Sequence, residues 1–182
     1  MRLAFVDRRA VPGNRDEFVS PRWRELFGEI AGRVGPQDWT VNLVLIADGA
    51  MTDLNRDFRG TDGVTDVLSF SYLLVEGPGC PDLRAGHGDA ARDLWLDPLG
   101  DRSADGSSPL VGEILVAPAF VAGRCLERGW SLETELPLLV VHGCLHILDW
   151  EHGQDEERAA MQKIESRVLA DVGLDHPLLE RM

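Results

Sequence analysis

Three of the chain's five histidines fall within eleven residues, in the order His142-Gly-Cys-Leu-His146-Ile-Leu-Asp-Trp-Glu-His152. This spacing constrains the fold more than any other feature of the sequence. Residues four apart share a helix face with Cβ atoms about 5–6 Å apart, so His142 and His146 can reach one ion from a single helix. On a straight helix His152 would lie ~15 Å beyond His142, out of reach of that ion. The chain must therefore bend after Leu148 and swing His152 back. Three imidazoles, each about 2 Å from the ion, suit zinc and leave a fourth position open, as in catalytic rather than closed structural sites. Nickel, copper and iron also accept imidazoles. The alternative is three histidines with unrelated roles.

The H-x3-H-x5-H spacing resembles the zinc site of metzincin peptidases, HExxHxxGxxH. The departures matter more than the match. The peptidase's general-base glutamate would directly follow the first histidine, where this chain has Gly143. Its turn glycine is replaced by Asp149, a residue type that tolerates left-handed backbone better than most. Cys144 points to another side of the helix and reads as a small buried hydrophobe rather than a ligand.

The rest of the chain supplies the scaffold. Leu3–Val6 reads as a strand. Ser20 and Pro21 open a helix carrying Trp23, Leu26, Phe27 and Ile30, stopped by Gly32 and Gly35. Thr40–Ala47 reads as a covered strand, Ala50–Phe58 as a short helix, and Val67–Leu74 and Gly112–Ala117 as further strands. Residues 76–109, rich in Gly, Pro, Asp and Ser, read as a flexible insertion, and His87 within it as a solvated loop residue. Ala119–Glu127 is helical. Ser131 opens a long apolar stretch to Leu148, in which Pro137 predicts a kink or a later start. Asp155–Val172 is amphipathic, with Met161, Ile164, Val168 and Leu169 on one face. Strands first and helices last predict one α+β domain over residues 1–182, a small mixed sheet flanked by helices with a zincin-like metal-site helix.

Charge and cysteine usage narrow the function. A net charge of −13 disfavours a nonspecific duplex-binding protein. The first 33 residues, with seven arginines against five acids, leave room for a local basic groove. Three cysteines without paired spacing argue against a disulfide framework and for a reducing, cytoplasmic setting. The only early apolar stretch, Leu3–Val6, is too short for a signal-peptide core, and no run approaches ~20 apolar residues, so neither a signal peptide nor a membrane span is expected.

Several motifs in order resemble the YbeY family. His142-Gly143-x-Leu145-His146 followed by His152 is similar to its HGxLHLxGYDH signature, with Asp149, Trp150 and Glu151 where the family usually has Gly, Tyr and Asp. Thr65-Asp66-Val67-Leu68-Ser69-Phe70 resembles its TDVLSF segment, preceded by Leu54-Asn55 and Phe58-Arg59, and Gly112-Glu113-Ile114 its GDI strand. The matches run from Leu54 to His152 and the helix after it, and residues 76–109 look like an expanded loop.

The resemblance implies a zinc-dependent endoribonuclease acting on single-stranded RNA, with roles in 16S rRNA 3′-end maturation and ribosome quality control and the small ribosomal subunit as partner. It implies one Zn2+ per chain on His142, His146 and His152. It also implies a catalytic Arg59 near the metal, whose planar guanidinium can grip a phosphate through two bonds. The alternative for Arg59 is a surface arginine at a helix end. Asp149, Glu151 and Glu113 are the candidates for general base. Thr65–Phe70 reads as scaffold, and Trp150 as a packed residue beside the turn, with base stacking the alternative. Two rival functions stay open: a metal-dependent peptidase or other hydrolase, and a noncatalytic zinc-stabilised ribosome-assembly factor.

Overall fold

β-branched and apolar residues alternate along the central strands, and their alternation decides which helix covers which face. The computed structural model describes residues 1–9, 18, 20–73 and 108–177. The strands are β1 (Arg2–Asp7), β2 (Thr40–Leu45), β3 (Val67–Ser71) and β4 (Leu110–Val116). They form one sheet in the order β1-β2-β4-β3, with β1, β2 and β4 parallel and the edge strand β3 antiparallel to β4. The helices are α1 (Pro21–Val34), α2 (Asp48–Arg59), α3 (Pro118–Arg128), α4 (Leu132–Ile147) and α5 (Asp155–Asp171). The domain is α+β, as the sequence predicts. The proposed insertion at 76–109, with His87, lies almost wholly outside the described residues.

Two cores sandwich the sheet. On one face, Val44 of β2 and Ile46 just after it, Leu68 and Phe70 of β3 and Leu115 of β4 meet Met51 and Leu54 of α2. On the other, Val41, Leu43 and Ile114 pack with α1, α3, α4 and α5. Each fully buried aliphatic side chain adds roughly 1.5–3 kcal/mol, so this second, larger core does most to fix α4. Helix α4 is apolar nearly all round, as expected of a helix enclosed by sheet and helices. Among the described residues no helix is long and apolar enough to cross a membrane.

Local signals behave largely as read. The Ser20 hydroxyl accepts from the Trp23 N–H at 3.5 Å and Pro21 occupies the first helical position. Pro137 is the exception: α4 starts at Leu132, so the proline sits inside the helix and does not delay it. Leu136, Leu138, Leu139 and Val140 around it are all buried, and that burial outweighs the ~3 kcal/mol cost of an internal proline.

Candidate metal centre

Helix α4 ends where the metal site requires a bend. The Asp149 N–H donates to the His146 carbonyl and the Trp150 N–H to the Leu145 carbonyl, each at 3.1 Å. These two bonds make a Schellman stop, with Asp149 at φ 65° in the position usually held by glycine. On the far side of the turn His152 returns to the helix. Ring centroids are 4.6 Å apart for His142 and His146, 5.3 Å for His142 and His152, and 5.0 Å for His146 and His152.

One nitrogen from each ring lies within 4.8 Å of the others, and among the described residues this group could hold a metal ion. The Nε2 atoms of His142 and His146 face each other at 3.0 Å. Ligand nitrogens at tetrahedral zinc lie about 3.3 Å apart, given bonds of about 2.0–2.1 Å, so the donor set fits such an ion. His142 and His146 are half-buried and His152 is exposed, which leaves one side of the group open to solvent.

Protonation also favours a ligand role. Burial, together with electrostatic repulsion from His142, His152 and Arg59, pushes His146 down to about 4, so its ring is neutral at pH 7. The Nδ1 of His142 lies 2.8 Å from Oε1 of Glu165, whose Oε2 lies 3.1 Å from Nε2 of His176. Burial alone would raise the Glu165 carboxyl, but the hydrogen bonds from His142 and His176 outweigh it and hold the group below its usual range. An ionised carboxylate only accepts, so it takes the Nδ1–H of His142 and leaves the Nε2 lone pair for a metal.

Sequence reasoning missed Glu165 and His176. Glu165 holds the buried place on α5 expected for an apolar residue, beside Met161, Val168 and Leu169, while Ile164 is only partly buried. That intrusion into the apolar face was the available signal. His176 lies beyond α5 and carried no local signal.

The remaining candidate residues separate clearly. Gly143 faces the sheet, and a Cβ there would sit 2.7 Å from Ile114 Cγ2. The peptidase's glutamate position is thus filled by the close approach of α4 to β4. Cys144 is fully buried, and burial pushes its thiol up to about 12. Glu113 accepts a bond from Asn42 at 2.9 Å and alternates with Ile114, placing it on the sheet face away from α4. Asp149 and Glu151 are exposed at the turn. Trp150, expected to pack, is 37% exposed, because the turn projects it past the core.

Arg59 ends α2 and is exposed, yet its charge is close enough to His146 to help lower that ring's pKa. The Thr65–Phe70 segment is largely scaffold. Leu68 and Phe70 are buried, and Asp66 accepts the Val67 N–H at 2.9 Å and pairs with Arg124 at 2.7 Å. The Ser71 hydroxyl donates to the Ile147 carbonyl at 2.8 Å, tying the edge strand to the end of the histidine helix.

The family described as Endoribonuclease YbeY matches residues 14–173. A Moorella thermoacetica protein named Endoribonuclease YbeY is 37% identical over 159 residues, covering 87% of this chain and 89% of its own length. A Xanthomonas oryzae protein of the same name is 34% identical over 148 residues, covering 81% and 76%. The fold is also similar to a solution structure from Thermotoga maritima, with TM-score 0.50 and 21% identity, covering 93% of this chain and 91% of that one.

Proposed function

The chain belongs to the YbeY endoribonuclease family, and on that premise we propose that it is a zinc-dependent endoribonuclease cutting single-stranded RNA. The observation that carries the reading is the open group of three imidazoles, with two Nε2 atoms 3.0 Å apart. His142, His146 and His152 hold the ion. Zinc held there would supply Lewis acidity toward a phosphoryl oxygen and a bound water with a pKa of about 7.

The protein's own groups do the rest. Glu165 fixes the His142 tautomer, and the depressed basicity of His146 keeps its lone pair available at neutral pH. Arg59 binds the scissile phosphate and stabilises the negative charge that grows on it. Asp149 and Glu151, which flank the turn, are the carboxylates from which the proton acceptor is drawn. In the cell the substrate is 16S rRNA at its 3′ end on the small ribosomal subunit, in the cytoplasm, with a further role in ribosome quality control.

The test is a panel of single-stranded RNA, duplex RNA and peptides incubated with zinc-loaded protein. Single-stranded RNA is cut, and His146→Ala abolishes the cut. Cleavage of peptide without RNA would establish a peptidase instead. Normal 16S 3′ ends in cells carrying His142→Ala, with the protein's metal lost, would establish a noncatalytic assembly factor.

A further inference from the structure

A cleft of about 390 Å³ runs from His142 and His152 outward to the end of α3. Its floor is apolar, formed by Leu138 and Leu139 of α4 and Met161 of α5, with Val67 at one side. The volume lies at the low end of the ~300–1,000 Å³ range of small-molecule sites, enough for one nucleoside and too small for a duplex.

The charges at its rim are unevenly paired. Asp66 and Glu135 both flank Arg124, at 2.7 and 3.8 Å, and Glu165 is held by its two histidines. Arg158 pairs with Asp155 at 2.9 Å. Each carboxylate lining the cleft thus lies beside a guanidinium or between imidazoles. Arg128 is different: it is exposed and has no carboxylate partner among the described residues. Its guanidinium lies over the ring of Trp130, 4.7 Å from the centroid. Trp130 itself is fixed just past Gly129, whose φ of 67° ends α3, and it packs against the core. A cation held over a fixed indole loses little freedom on binding an anion, and its N–H fork suits a phosphate. In a chain of net charge −13, a cation without a carboxylate partner at the far end of this cleft is a local exception.

We propose that this cleft is a nucleoside subsite of the RNA substrate. The base next to the scissile phosphate lies on Leu138, Leu139 and Met161, and Arg128 binds the following phosphate. The histidine group at one end and Arg128 at the other then fix the strand's direction across the site. The inference rests on the endoribonuclease reading above, and an apolar floor between two phosphate-binding ends suits an unpaired base.

The test uses the full-length, zinc-loaded protein and a labelled single-stranded RNA of mixed sequence. Arg128→Ala lies on an exposed side chain and leaves zinc affinity unchanged. It lowers kcat/KM for RNA by about tenfold or more, mainly through KM, as loss of a hydrogen bond to a charged group does. It also lowers the slope of log KM against log salt by about 0.7, the increment for one phosphate of a single strand. Gln162→Trp, which narrows the cleft from α5, changes which bases are preferred beside the cut. An unchanged KM and salt slope in Arg128→Ala, with wild type cutting RNA normally, would overturn the subsite and leave the nuclease reading intact. Failure of the wild type to cut RNA under any metal loading would remove the nuclease reading, and the subsite with it.

Discussion

Replacing Glu165 with glutamine keeps the shape of the metal site's supporting layer and removes its charge. The wild-type carboxylate accepts from His142 at 2.8 Å and from His176 at 3.1 Å, and is 3% exposed, so water cannot substitute for it. Glutamine has one acceptor and one donor, so it can satisfy only one imidazole in the wild-type tautomer. If its NH2 faces His142, Nδ1 must accept, the proton moves to Nε2, and the metal-binding lone pair is lost. If its oxygen faces His142, the ring stays correct but loses a charged acceptor, worth about 1.5–3 kcal/mol. That range matches the 10–100-fold loss of metal affinity typical when the outer partner of a ligand histidine is changed. Glu165→Gln is therefore expected to weaken zinc binding by about 10–100-fold, measured at neutral pH by competition with a chromogenic chelator. His176→Ala, which leaves Glu165 with only His142, should weaken it less. Wild-type zinc affinity in a folded Glu165→Gln protein would refute the reasoning.

Gly143→Ala places a methyl group 2.7 Å from Ile114 Cγ2, an overpacking cost of about 1–3 kcal/mol against a helix gain of about 1 kcal/mol. A net loss of up to about 2 kcal/mol should appear as a Tm lowered by as much as about 8 °C, checked by thermal melts. Asp149→Gly relieves a left-handed residue and should add about 0.5–1 kcal/mol in urea unfolding, with the metal site kept. His146 falls from 6.5 unfolded to about 4 folded, so the unfolded state binds more protons between these values. Stability of the metal-free protein should therefore fall as pH drops from about 6.5 to about 4, and His146→Gln should flatten that part of the pH–stability curve. Arg59→Ala should cut kcat for RNA by about 10²-fold while zinc affinity stays within twofold, separating phosphate stabilisation from metal binding.

The histidine group was legible because its logic is local. A four-residue interval on a helix and a forced bend are set by backbone geometry, and the Asp149 turn supplies the bend. The α+β class followed from strand and helix periodicity in the same way. What stayed hidden depends on contacts between distant segments. Glu165 was concealed by reading α5 as a purely apolar face, although a glutamate in that face demands a buried partner. His176 acquires its role only when the end of the chain's last described turn meets α5. Gly143 looked like a missing catalytic base, and the packing shows a second reason for it, the contact with Ile114. Pro137 does not bring the later start of α4 because local helix rules ignore the burial that holds α4 together. Trp150 misled for the opposite reason, since an apolar residue at a tight turn can be carried outward by the turn itself.

The most direct test of the account is RNA cleavage during zinc titration of protein stripped with a chelator. The stripped protein should leave single-stranded RNA intact, and activity should return and saturate at one zinc per chain, with no recovery in His142→Ala. Full cleavage by the stripped protein, or equal recovery in the histidine variant, would contradict the claim that this histidine group holds the catalytic ion.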